Sequence, residues 1–184
     1  MHMHILALTG SLRERSINTE LLRAFALVAP AGTRVTLFDG LGLLPHFNPD
    51  LDQDGIVPPV SVARLRAAVA GADALLISCP EYAHGVAGSF KNLLDWLVSG
   101  SEMPGKPACV VSASAAARFG PPSLVETLCA MSTVVVTGDA VTIPVNGRRL
   151  DAAGIAAEAD LANGIRAALG SIAETVTAAQ TSHE

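Results

Sequence analysis

Two stretches of this chain hold side chains whose types and spacing suit chemistry. The first, GSLRERSIN at residues 10–18, gathers Ser11, Arg13, Ser16 and Asn18 into one short loop ahead of a helical pattern. Short hydroxyl and amide donors beside a fixed positive charge, at a helix start whose first N–H groups lack intrahelical partners, suit a phosphate. The competing reading is local: Ser16 or Asn18 caps the helix while Arg13 and Arg15 stay in water. Glu14 opposes an anion only if it turns inward. The second stretch, PEYAHGVAGSFKNLLDWLVSG at residues 80–100, opens with Gly85 and Gly88 in a loop poor in large side chains. Missing side chains let backbone N–H groups approach the edge of a planar ring. Tyr82, the only tyrosine, can flank such a ring, whereas Trp96, the only tryptophan, stands among Leu93, Leu94 and Leu97 and reads as core.

The elements that must position these loops follow from periodicity. Apolar, β-rich runs occupy residues 4–9, 34–38, 74–79, 108–113 and 133–138, each followed by turn residues. Between them come helical spacings. Phe90, Leu93, Leu94, Leu97 and Val98 fall on one face, as do Leu21, Leu22, Phe25 and Ala26, then Val62, Leu65 and Val69, and later Leu161, Ile165, Leu169, Ile172 and Val176. A weaker helix is predicted through residues 123–131. Strands apolar at consecutive positions, alternating with amphipathic helices, imply a parallel sheet covered on both faces. The expectation is an α/β, flavodoxin-like three-layer sandwich: one domain over residues 1–184, with a five-stranded parallel sheet of order 2-1-3-4-5. In that order ligands bind beyond the carboxyl ends of strands one and three, the strands that lead into the two loops. Residues 39–59, rich in Pro, Gly, Asn and Asp, read as a surface excursion.

Composition narrows the classes. Half of the 184 residues are hydrophobic and 16% are charged, against about 25% in an average soluble protein, which points to buried subunit interfaces. A net charge of -5 with scattered basic residues argues against a nucleic-acid surface. No stretch approaches a membrane-spanning length, and the first residues lack the pattern of a secretory leader, so a soluble cytoplasmic protein is expected. Cys79, Cys109 and Cys129 have neither disulfide nor metal spacing and read as buried thiols; His2 and His4 read as an exposed strand edge rather than a metal site. The Walker pattern, a dinucleotide fingerprint after strand one and the G-x-S-x-G elbow are all missing. Ser78, Cys79 and Pro80 stand where a receiver domain would carry an acidic phosphoacceptor.

With both motifs in order, the chain resembles the NAD(P)H-dependent FMN reductases of flavodoxin-like fold, a family that includes bacterial chromate and quinone reductases. GSLRERSIN resembles their phosphate loop G-S-x-R-x-x-S-x-N, and residues 80–100 resemble their P-E-Y-x-x-x-x-P-G-x-x-K-N-x-x-D-W segment. The resemblance implies that Ser11, Arg13, Ser16 and Asn18 hold the FMN phosphate, and that Pro80, Glu81, Tyr82 and the backbone through Ala83, His84 and Gly85 meet the ribityl chain and ring. Ser112 and Ser114 fit a polar loop near the pyrimidine end. Ala83, His84 and Ala87 depart from the family's usual Asn, aromatic and Pro.

The resemblance further implies NAD(P)H as co-substrate and a small-molecule electron acceptor such as a quinone, chromate, an azo compound or free flavin. It also implies a homodimer or homotetramer. A flavin brings its own redox chemistry, so no protein residue is assigned as catalytic, and His84 and Arg118 read as surface. An FMN-binding electron carrier or sensor without efficient NAD(P)H turnover is the alternative, disfavoured by the scarcity of aromatics that would cover the ring.

Overall fold

Runs of Val, Ile and Leu with no polar alternation can be buried only when both faces of a sheet are covered. The computed structural model, which describes residues 2–145 and 147–181, has that arrangement. In chain order the elements are β1 (Met3–Thr9), α1 (Ile17–Val28), β2 (Thr33–Leu37), α2 (Val60–Ala70), β3 (Ala74–Ser78), a small hairpin of β4 (Glu81–Tyr82) and β5 (Gly85–Val86), and α3 (Gly88–Asp95). There follow β6 (Pro107–Ser112), α4 (Gly120–Ala130), β7 (Val134–Val135), β8 (Val141–Thr142), α5 (Ala152–Ala157) and α6 (Ala159–Thr181). The main sheet runs β2-β1-β3-β6-β7, all parallel, which is the expected order once the β4–β5 hairpin is set aside.

Alternate residues of the central strands feed two cores. Ile5, Ala7, Leu76, Cys109 and Val111 pack with Leu21, Phe25, Ile155, Ile165 and Ile172 of α1, α5 and α6. Leu6, Leu8, Leu75, Ile77 and Val110 pack with Val62, Leu65, Phe90, Leu93 and Leu128 of α2, α3 and α4. Each fully buried Leu, Ile or Phe stabilises the fold by about 1.5–3 kcal/mol relative to exposure.

Several expectations are corrected. The predicted fifth strand over 133–138 is broken: β7 ends at Val135, the chain turns through Thr137 (φ 68°) and Gly138 (φ 73°), and β8 resumes beside β6 with Val111 paired to Val141. The sheet therefore has six strand segments rather than five. Two successive left-handed residues end a ladder, and the run TVVVT gives no hint of them. α3 stops at Asp95, so Val98 falls outside the helix and is exposed. His4 is no exposed edge. It lies in β1 between two strands, and its ring reaches Thr36 Oγ1 (2.7 Å) and Gly71 O (3.2 Å). Of the thiols only Cys109 is buried; Cys79 is half-buried and Cys129 exposed.

The 39–59 excursion is pinned to α3 and α2. Trp96, fully buried, donates from Nε1 to Pro45 O (2.9 Å), and its ring meets Phe47 edge-on at 5.1 Å. Asn92 donates to the same carbonyl (2.9 Å) and accepts from Phe47 N (2.7 Å), while Arg66 joins Asp52 (2.8 Å) to Trp96 O (2.8 Å).

Candidate functional site

The loops after β1 and β3 can meet because residue 10 has no side chain. A Cβ on Gly10 would lie 2.4 Å from Cys79 Sγ and 2.9 Å from Cys79 Cβ, closer than real Cβ contacts come. The Gly10 N–H donates to Ser78 O (2.9 Å), and the Ser78 hydroxyl donates to Asn18 Oδ1 (2.9 Å) within the interior. Strand three thereby fixes the first turn of α1. Ser16 is the N-cap of that helix, in extended backbone, and its Oγ accepts from Thr19 N (3.4 Å). Ser11 accepts from Arg13 N (3.3 Å) and donates its own N–H to Thr9 Oγ1 (3.3 Å). Ser11, Ser16 and Asn18 are buried, whereas Arg13, Glu14 and Arg15 are exposed. Small oxygens thus shape the loop from within, and the charges stand on its outside.

Asn18, Pro80, Glu81, Ser112 and Ser114 line one cavity of about 360 Å³, together with Ile17 and Cys79. Arg13 and Ser16 instead border a larger hollow at the α1 start, about 640 Å³. Ser11 and Arg13 also reach a third, of about 440 Å³, floored by Phe38 and Leu41. Tyr82, Ala83, His84 and Gly85 line none of these three. They form the β4–β5 hairpin, where Tyr82 pairs with Gly85 across a turn in which Ala83 (φ 50°) and His84 (φ 61°) are both left-handed. Tight hairpins need that backbone and normally place Asn or Gly there. Gly85 itself does not have a positive φ, and a Cβ on it would touch nothing nearer than Tyr82 O at 3.8 Å.

Glu81 has a role the sequence did not disclose. Its carboxylate accepts from the N–H groups of Gly120 (2.8 Å) and Phe119 (2.9 Å) at the start of α4, and these bonds hold its pKa below the usual glutamate value. Gly120 permits this closeness, since a Cβ there would meet Glu81 Cβ at 3.1 Å. Phe119, also unforeseen, stacks on the His84 ring at a centroid distance of 4.3 Å and 28° between planes. Only proximity in space connects these residues; no spacing in the sequence could have paired position 84 with 119. After β6, the Ser112 hydroxyl donates to Ser114 O (3.0 Å), and Ser114 Oγ accepts from Ala116 N (3.2 Å), which closes the loop on itself.

Burial pushes the Cys79 thiol up to about 11, so it stays protonated near neutrality. Among the described residues no cluster of three or more His, Cys, Asp or Glu could hold a metal. The arrangement can bind and orient: charge and hydroxyls at one end, small side chains beside a cavity at the other. That donor set is compatible in type with FMN: hydroxyls, an arginine and the first N–H groups of a helix are groups a phosphate takes, and packing within the chain leaves room at Gly85 and Gly88 beside the hairpin.

Comparison with known proteins finds relatives by sequence and by fold. Residues 3–146 match the family described as NADPH-dependent FMN reductase. An NAD(P)H-dependent FMN reductase of Pseudomonas aeruginosa is 40% identical over 118 residues, covering 63% of this chain and 62% of that protein. A quinone reductase of Escherichia coli K12 is 32% identical over 114 residues, covering 61% and 60% respectively. The matched part spans less than two thirds of the length of these relatives. The solved structure of FerB, a flavoenzyme NAD(P)H:(acceptor) oxidoreductase from Paracoccus denitrificans, aligns with TM-score 0.70 at 25% identity over 94% of this chain and 98% of that one. An NADH:FMN oxidoreductase in its apo form shares the fold, with TM-score 0.67 at 21% identity over 96% and 89%.

Proposed function

Because the chain belongs to the NADPH-dependent FMN reductase family, we propose that it is an FMN-dependent NAD(P)H oxidoreductase whose final acceptor is a small molecule of the quinone class. One observation supports this reading: Gly10 packed on Cys79 brings the loops after β1 and β3 together, so that Asn18 from the first and Pro80 and Glu81 from the second share a cavity with Ser112 and Ser114. Bound FMN supplies two-electron chemistry between a reduced nicotinamide and an acceptor.

The chain's own residues bind and orient. Ser11, Arg13 and Ser16 hold the phosphate, Asn18 and Pro80 flank the ribityl chain, and Ser112 and Ser114 present polar atoms to the pyrimidine end. The hairpin of Tyr82, Ala83, His84 and Gly85 sets the ring's open edge, while Glu81 fixes that hairpin to α4. No residue is given a covalent or acid-base role. Cytoplasmic work as a homo-oligomer belongs to the same proposal, supported by the low charge and by the absence, among the described residues, of any helix long and apolar enough to cross a membrane.

Absorption of the freshly purified protein, followed by anaerobic mixing with NADPH, tests the proposal. A bound-flavin spectrum that bleaches rapidly is the expected result. A flavin that persists for minutes with NADPH reverses the assignment in favour of a carrier or sensor, and a colourless folded protein that takes up no added FMN ends both readings.

A further inference from the structure

Beyond the loop motif, the hollow of about 640 Å³ at the α1 start is lined by a third arginine. Arg13, Arg15 and Arg149 all line it. Among the described residues none of the three enters an ion pair. Two carboxylates share the wall, and one of them has a cation partner. Glu20 pairs with Arg23 and accepts from Ala152 N (2.9 Å), and Asp151 accepts from Gly154 N (2.8 Å). With Glu20 paired to Arg23, the three arginines face one carboxylate, Asp151, that enters no ion pair among the described residues, and the hollow keeps an excess of positive charge that favours an anion.

The segment that carries Arg149 is anchored on both sides. Upstream, Val145 N–H donates to Ala113 O (3.0 Å), and Arg148 grips Asp160 with two bonds of 2.7 and 3.3 Å. Downstream, α5 begins on Glu20 and packs along α1. Arg149 itself has left-handed backbone (φ 53°), which an arginine adopts only at a cost. It also lies past residues 3–146, the part that matches the family.

We propose that Arg149 completes, with Arg13 and Arg15, a binding site for a phosphomonoester dianion. The choice of dianion rests on the flavoenzyme reading above: Ile17 lines both this hollow and the ring-side cavity, so the group is either the 5′-phosphate of FMN or the 2′-phosphate of NADPH. Guanidinium forks suit either.

The test compares wild type with Arg149→Asn, because asparagine tolerates left-handed backbone while removing the charge. Inorganic phosphate is followed by its effect on thermal unfolding, FMN and riboflavin by flavin fluorescence, and NADPH and NADH by KM. The variant should bind inorganic phosphate about tenfold more weakly. A similar loss for FMN, with riboflavin unchanged, identifies the flavin phosphate as occupant. Unchanged FMN binding, with a raised KM for NADPH and not for NADH, identifies the 2′-phosphate. If every phosphate-bearing probe treats variant and wild type alike, the proposal is overturned. A wild type that takes up no flavin, yet loses phosphate binding on Arg149→Asn, removes the flavoenzyme reading and keeps the anion site. Arg15→Gln, at an exposed position, repeats the comparison should the first variant not fold.

Discussion

After β1 the chain builds its loop from side chains, and after β3 from backbone. In the first loop Ser11, Ser16 and Asn18 are buried and each has a hydrogen bond inside the chain, so the loop has its shape before any ligand arrives. In the second, Tyr82, Ala83 and His84 are exposed, the turn depends on two left-handed residues without glycine, and its supports are a carboxylate on α4 and a ring on Phe119. Shape fixed by buried oxygens suits a ligand group that never varies, such as a phosphate. A hairpin held from outside suits a face where partners of different outline take turns.

That contrast can be broken or sharpened by mutation. Gly10→Val should have the largest effect: the new methyls would collide with Cys79, including its backbone, and stability should fall by about 3 kcal/mol or more. Urea unfolding measures it, and a wild-type midpoint would show that the two loops do not meet as described. Next comes Arg13→Ala, expected to weaken FMN binding by about 1.5–3 kcal/mol, as for a hydrogen bond to a charged group, while riboflavin affinity stays the same. Equal losses for both flavins would remove Arg13 from the phosphate.

Smaller effects belong to the second loop. Ala83→Gly should stabilise the protein by about 0.5–1 kcal/mol, since relief of a left-handed alanine outweighs the freedom glycine gives the unfolded chain. A destabilised variant in thermal unfolding would mean that Ala83 is not under strain. Glu81→Gln should have the smallest effect of the four, greatest at neutral pH, and its signature is how that effect shrinks on acidification. The folded-state pKa of Glu81 lies below its unfolded value, so its contribution is complete above the ordinary glutamate range and disappears as pH falls through the folded pKa. The variant should therefore lose less stability than wild type on acidification, and parallel pH curves would refute the α4 cap.

The same contrast explains what could be read from sequence. Strands β1, β3 and β6 were legible to within a residue because burial on both faces leaves a nearly unbroken apolar run, the edge strand β2 because its β-branched residues alternate with polar ones, and α1, α2 and α6 because a core-facing stripe has helical period. The loop at residues 10–18 stood out because its residue types suit a phosphate directly. The split of the fifth strand was not, since Thr137 has no composition that announces a left-handed turn. Neither was α5, a short run of small residues with only Ile155 buried. Phe119, the Glu81 cap and Arg149 arise where distant segments converge, and periodicity reports nothing about such convergence.

The interruption between Val135 and Val141 has one more effect. A continuous fifth strand would present its outer row of N–H and C=O groups to any passing chain, a ready template for runaway edge-to-edge association. Two stubs of two residues, separated by a turn, offer no such row. The detour acts as a built-in guard against aggregation in a protein with few surface charges to keep its copies apart.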